Sequence, residues 1–305
     1  MYSYRIIKEH YSREEVQNEI LKFAKFRWIG VHCEKTDEKK RNILIRYDKN
    51  RKPLKINNKN QILNIINEFE EYKPRTFYAS INIYRKLDFI ENTLDRENII
   101  ACTPTWDIDN ELSKWPATIS VVEEIISFLS KHDIEKSIYV KWSGNGCHVH
   151  LHEKSFSLNL LKKINPLDLA YSIVEYVNNK LYEKYLDIKN RFKAEELVVE
   201  NKIDPQRLYT CPLSVHRKQY LTCICIDKNK LNDFSPEWAK LNEFKHFYDW
   251  DNYLIGEADD LALKAYENIG PYPYYPKLRK RKTIPLDMQI IKWLKKFEEE
   301  KTNSP

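Results

Sequence analysis

The sequence predicts an α+β fold, a central mixed β-sheet flanked by helices, and three observations predict it. Runs rich in β-formers and runs with helically spaced apolar residues are interspersed along the chain rather than segregated. The 305 residues are enough to bury a sizeable core. No internal repeat or low-complexity domain interrupts the pattern.

Taken in order, SREEVQNEILKFAKF (12–26) opens with Ser12, carries Glu15 three places on, and spaces Val16, Ile20, Phe23 and Ala24 helically. That predicts a capping box and an amphipathic helix. NILIRYD (42–48) and TFYASINIY (76–84) predict strands. NIIACTPTWDID (98–109), an apolar run ending in acids, predicts a strand that delivers side chains to a site at its end. TISVVEEIISFLSK (118–131) predicts a helix capped by Thr118. SIYVKW (137–142) and CHVHLH (147–152) predict a hairpin around a Ser143–Gly146 turn. A helical insertion follows over about 157–190. RLYTCP and QYLTCICID are two further strands flanking Ser214–Lys218, and 260–269 is a short helix. PYPYYP (271–276) is a stiff linker, and an amphipathic helix with Leu286, Ile290, Trp293, Leu294 and Phe297 on one face starts near 285. A core of 1–235 and a helical, basic extension of 236–305 are expected.

Composition narrows the function. No apolar run reaches the roughly eighteen residues of a membrane span, and the N-terminus is too polar for a signal peptide, so a soluble cytoplasmic protein with no membrane partner is expected. Six scattered cysteines without CxxC spacing make a disulfide framework and a zinc site equally unexpected; Cys223 and Cys225 read as buried thiols of an apolar strand. The net charge of +6 is mild, but KLRKRK (277–282) concentrates Lys277, Arg279, Lys280, Arg281 and Lys282. Such a run is either a solvated loop or a nucleic-acid contact.

Three clusters carry chemistry. Asp107 and Asp109 in TWDID stand two apart on an extended segment and point the same way, which suits either a hard divalent cation or a solvated strand end. VENKIDPQRLYTCPLSVHRK adds Asp204 as a third carboxylate, with Arg207, Arg217 and Lys218 as phosphate-binding cations and Ser214 and His216 as further donors. KWSGNGCHVHLHE (141–153) holds two of the five glycines and three of the eight histidines. Its turn can offer backbone N–H groups to phosphates, with His148 as an imidazole donor. A zinc site built from His148, His150 and His152 would lack a fourth ligand and a catalytic acid, and a flat strand separates the first and third rings widely. His152 reads as an exposed strand-end residue. P-loop and dinucleotide-binding readings fail for want of their glycines.

The ordered set YKPRTFYASINIY, TWDID, IYVKWSGNGCHVHL and IDPQRLYTCPLSVHRK resembles the archaeo-eukaryotic primase superfamily, specifically the archaeal type of catalytic small subunit, over about 10–230. The resemblance implies a primase-polymerase core. It matches Asp107, Asp109 and Asp204 to metal-binding aspartates, and Ser143, Gly144 and His148 to the triphosphate-contacting motif. Arg207, Ser214, His216 and Lys218 fall on the final nucleotide-binding motif, and Arg27 and Arg46 on upstream basic positions. The SGNGCH loop departs from the family: it is one residue shorter and lacks the usual arginine. The family's zinc knuckle has no cysteine set either, which marks a divergent member. The implied activity is a DNA primase: template-directed nucleotidyl transfer with Mg2+ or Mn2+, two ions, joining nucleoside triphosphates on single-stranded DNA. A primase large subunit is the implied partner. A stand-alone primase-polymerase of repair or mobile elements, and a non-catalytic nucleic-acid-binding subunit, are the alternatives.

Overall fold

The structure of the protein, a computed structural model, describes residues 4–273. The basic run from Lys277 to Lys282 and the helix expected from 285 lie outside the described residues. In chain order the helices are α1 (Tyr4–Ser12), α2 (Glu14–Ala24), α3 (Asn60–Glu68), α4 (Trp115–Ser130), α5 (Leu158–Leu161), α6 (Pro166–Phe192) and α7 (Asp259–Ile269). The strands are β1 (Arg27–Thr36), β2 (Asn42–Ile45), β3 (Pro74–Tyr84), β4 (Ile99–Cys102), β5 (Thr105–Asp109), β6 (Ile138–Trp142), β7 (Cys147–Leu151), β8 (Val198–Glu200), β9 (Leu208–Thr210) and β10 (Ile224–Ile226).

The α+β class holds, but the strands form two sheets rather than one mixed sheet. One runs β2-β1-β3-β4 with β9 also on β3; the other runs β10-β6-β7-β5-β8. Every named pairing is antiparallel. The division falls inside the run expected as one strand over 98–109. Pro104 has no N–H to give a ladder, so the run breaks after Cys102. β4 stays on β3, while β5 joins the second sheet between β7 and β8.

Two expected caps are absent for local reasons. Ser12 closes α1 instead of opening the next helix, its hydroxyl donating to the Lys8 carbonyl at 2.9 Å. α2 starts at Glu14 without a side-chain cap. Thr118 lies inside α4, which begins at Trp115 with Pro116 in its first turn. Its hydroxyl accepts from Asn110 Nδ2 at 3.1 Å.

Described residues on both sides of 235 belong to one compact unit that runs to Tyr272. Past 235 the chain supplies Trp250, which is buried against Phe23, and His246, which faces Glu19. Among the described residues no helix is long and apolar enough to cross a membrane.

The sheets meet along a polar seam. Tyr209 on β9 lies against His148 and His150 on β7, with ring centroids 4.7 and 5.9 Å apart. Lys141 on β6 donates to the Thr210 carbonyl at 2.8 Å. Arg27 spans the seam, bonding the Ser80 and Ile81 carbonyls and pairing with Glu153 at 2.9 Å. Burial raises the Glu153 carboxyl, but the charges of Arg27 and His152 together with the hydrogen bonds it accepts outweigh that and hold the group at about 2.

Candidate active site

Alternation along β5 puts Asp107 and Asp109 on one face of the second sheet. β8 is the edge strand beside it, and its register sets Glu200 directly opposite Asp107. Two residues later the chain returns Lys202 to the same point. Its Nζ lies 2.9 Å from Asp107 Oδ2, 2.8 Å from Asp109 Oδ2 and 2.8 Å from Glu200 Oε2. On the other side of Asp107, His148 Nε2 approaches Oδ1 at 3.2 Å. Burial raises the Asp107 carboxyl, yet the His148 bond and the Lys202 ammonium prevail and hold it at about 2. Burial lowers the Lys202 ammonium, and the bonds to Asp109, Glu200 and Asp107 more than reverse that.

Glu200 and Lys202 had no signal in the sequence, because β8 is only three residues long and alternates no apolar set. Asp204, the acid expected to join Asp107 and Asp109, acts on Tyr209 as they do and has partners within its own loop. Its Oδ1 accepts from the Gln206 N–H at 2.7 Å, and its Oδ2 lies 3.3 Å from Arg207 Nε. Its loop is pinned by Asn82, which donates to the Asp204 and Pro205 carbonyls. Among the described residues no three His, Cys, Asp or Glu side chains stand as a ready-made metal cage. The acids around Lys202 are spaced for an ammonium at hydrogen-bond length rather than an ion at coordination length.

The β6–β7 hairpin forms as expected, and its glycines have separate reasons. Gly144 adopts φ +124°, and a Cβ there would come within 2.8 Å of His216 Cδ2. A Cβ on Gly146 would meet the Ile108 carbonyl oxygen at 2.2 Å. One short turn thus rests on β5 beside Asp109 at one end and on the His216 ring at the other. Within it the Ser143 hydroxyl donates to the Gly146 carbonyl at 3.2 Å.

The three histidines have three environments. His148 serves Asp107, while its Nδ1 is buried without a hydrogen-bond partner. His150 is in the core, stacked on Tyr139 at 4.6 Å with Nδ1 bonded to the Thr105 hydroxyl. Burial, then Lys141, His148 and Arg27, push it well below the usual imidazole range. His152 is not exposed as expected: it is 2 % accessible, with Nε2 bonded to Asp251 at 2.8 Å. The segment around Asp251 and Tyr253 covers it, a contact from a hundred residues away.

The final motif divides as well. Ser214 is fully buried; its Oγ accepts from the Phe77 N–H at 2.7 Å and bonds Tyr11 at 3.1 Å, so it belongs to the core. His216 accepts the Lys218 and Gln219 N–H groups at Nδ1, which assigns the proton of the neutral ring to Nε2. Burial and the charges of Arg217, Arg75, Lys218 and His32 push its pKa down to about 4. Arg75 braces this turn by donating to the His216 and Gln219 carbonyls. Arg217 and Lys218 are exposed. Arg207 donates to the Lys202 carbonyl at 2.7 Å and so fixes the backbone behind the acid cluster. Arg46 lies over the Trp28 ring at 5.4 Å, whereas Arg27 is spent inside the seam.

No family model and no curated protein matches the chain. Among solved structures the chain is similar to the polymerase domain of Mycobacterium tuberculosis ligase D in complex with DNA. The TM-score is 0.53 at 11 % identity, covering 88 % of this chain and 90 % of that one. The protein therefore has the fold of a polymerase domain.

Proposed function

We propose that the protein is a template-directed, divalent-metal-dependent nucleotidyltransferase of the primase-polymerase kind. It joins nucleoside triphosphates on single-stranded DNA and releases pyrophosphate. The observation that carries this reading is the convergence of Asp107, Asp109 and Glu200 on one cation, beside a turn that reaches the cationic His216–Lys218 segment. Carboxylates alone suit any cation, and cations alone suit any anion. The two sets bridged by one short turn suit a metal-bound polyphosphate.

The acids offer only hard oxygen ligands, which fits Mg2+ or Mn2+. Asp107, Asp109 and Glu200 would hold the ion, and when bound it would neutralise charge on the reacting phosphates. The chain's own residues do the rest. His148 orients Asp107 through Oδ1, leaving Oδ2 to face the cation position. Gly144 keeps the turn free of a side chain, so its backbone can approach an anion closely. His216 stays neutral above about pH 4 and offers its Nε2–H as a donor. Arg217 and Lys218 add cations for phosphate oxygens.

The finer role proposed is primer synthesis with a primase large subunit, and the likeness in fold to a polymerase domain in complex with DNA supports DNA as the nucleic acid. The test is incorporation on primed and unprimed single-stranded DNA, with ribo- and deoxynucleotide sets and Mg2+ or Mn2+. Products from unprimed template assign a primase; extension of primed template only assigns the stand-alone polymerase. Folded protein that binds DNA but incorporates nothing under any set sinks the enzymatic reading.

A further inference from the structure

We propose that Lys202 is a built-in counter-cation of the acid cluster, so that a free divalent ion enters only by displacing it. The proposal rests on the reading of Asp107, Asp109 and Glu200 as a metal site. The ammonium sits at the focus of three carboxylates carried by two strands, 2.8–2.9 Å from each. An ion bound by the same oxygens would lie within a few ångströms of it, and two cations at that separation repel strongly where protein displaces water. They exclude one another.

The surroundings suit exchange rather than permanent closure. Arg207 anchors the Lys202 carbonyl, so the backbone stays and the flexible side chain is the part that can leave. That side chain is 24 % accessible, and the Asp109 and Glu200 side chains are 62 % and 47 % accessible, which opens the outer rim to solvent. The inner wall also carries a polar atom without a partner. The Tyr209 hydroxyl is buried without a hydrogen-bond partner, within the field of Asp107, Asp204 and Asp109. His148 Nδ1 is also buried and unpartnered, on the side of its ring turned away from Asp107. Neither atom is needed to hold Lys202.

The experiment is a titration of nucleotide-free protein with Mn2+ at neutral pH, reading free Mn2+ by electron paramagnetic resonance. Wild type is expected to bind weakly. Lys202→Met and Lys202→Gln are expected to bind at least about tenfold more tightly, a difference of about 1.4 kcal/mol. Lys202→Arg, which keeps the charge, stays weak, and Glu200→Gln in the Lys202→Met background loses the gain. Thermal melts confirm which variants are folded, and two neutral replacements guard against one that is not. Equal affinity in wild type and both neutral variants overturns the proposal, as does an equal gain in Lys202→Arg. A chain that gains Mn2+ affinity on losing Lys202 but never incorporates nucleotides keeps this inference and loses the proposed activity. One that incorporates nucleotides but shows no gain does the reverse.

Discussion

Lys141 and Lys202 belong to the same half of the molecule and have opposite situations. Lys141 is completely buried in the seam between the sheets, with no acid beside it. Its ammonium donates to the Thr210 carbonyl and lies 3.9 Å from the centre of the Phe23 ring. Lys202 sits at the rim, with three acids and partial access to water. The seam does contain an acid, Glu153, but Arg27 already holds it. The inner region is thus closed and has no acid to spare, since Arg27 holds Glu153 and Lys141 has a carbonyl for its partner, while the outer region has more carboxylate than the chain's own cations can match. A structural ion pair is complete in itself. An excess of acid at an open edge calls for a cation from outside.

The largest expected effect tests the outer region. Asp107→Asn keeps the shape and removes one charge from the cation position. Nucleotide incorporation should fall by at least about a thousandfold, corresponding to several kcal/mol of lost charge neutralisation. Far-UV circular dichroism should stay that of wild type. Incorporation near the wild-type rate would erase the distinction between rim and seam.

Next comes the stability contrast between Glu153→Ala and Glu200→Gln, measured by urea unfolding. Losing Glu153 strands the buried Arg27 guanidinium and should cost about 3–5 kcal/mol. Glu200 is half exposed and shares a cation with two other acids, so its loss should cost less than about 1 kcal/mol. Equal costs would mean that burial does not separate the two regions.

The pH dependence has a definite sign. His216 and His10, both lowered to about 4 with burial as the main cause, take protons in the unfolded chain first. Stability should therefore fall as pH drops from about 6.5 towards 4. Asp107 and Glu153, held at about 2, add a second loss as pH drops from about 4 towards 2. His216→Gln should flatten the upper part of the curve and leave the lower part in place. A curve unchanged above pH 4 would show that the His216 ring is not held neutral by the fold.

The smallest effect belongs to Lys141. Burial lowers its pKa, so its charged form penalises the fold, and Lys141→Met should be neutral or stabilising by about 1 kcal/mol in thermal melts. A loss of several kcal/mol would mean that the bond to Thr210 does more for the seam than the charge costs it.

Local chemistry explains what was legible in advance. The amphipathic spacing of α4 and α6, the β6–β7 hairpin and its glycine turn, and the shared face of Asp107 and Asp109 all follow from periodicity and turn preference over a few residues. Those signals overreached where a neighbour competed. Ser12 bonds back to Lys8 rather than capping α2, and Pro104 splits one apolar run between two sheets. The ten-residue strand β1 and the helix α3 were not anticipated at all, although β1 pairs with both β2 and β3.

By itself, then, the sequence determined that a pair of aligned acids, a glycine turn bearing histidines and a cationic segment exist in this chain, because each is a property of adjacent residues. Only the tertiary structure decided which of them meet. The pairing of β8 with β5 brought Glu200 and Lys202 to the acids, and the Asn82 and Tyr84 bonds to the 204–205 loop, with Gln206 and Arg207, fixed Asp204 where it acts on the same Tyr209 as Asp107 and Asp109. Packing against Tyr11 and Phe77 drew Ser214 into the core, and Asp251 covered His152. The physical reason is common to all four. A buried polar atom takes whichever partner the packing of distant segments leaves within hydrogen-bond reach, and that choice is not written in the spacing of its neighbours along the chain.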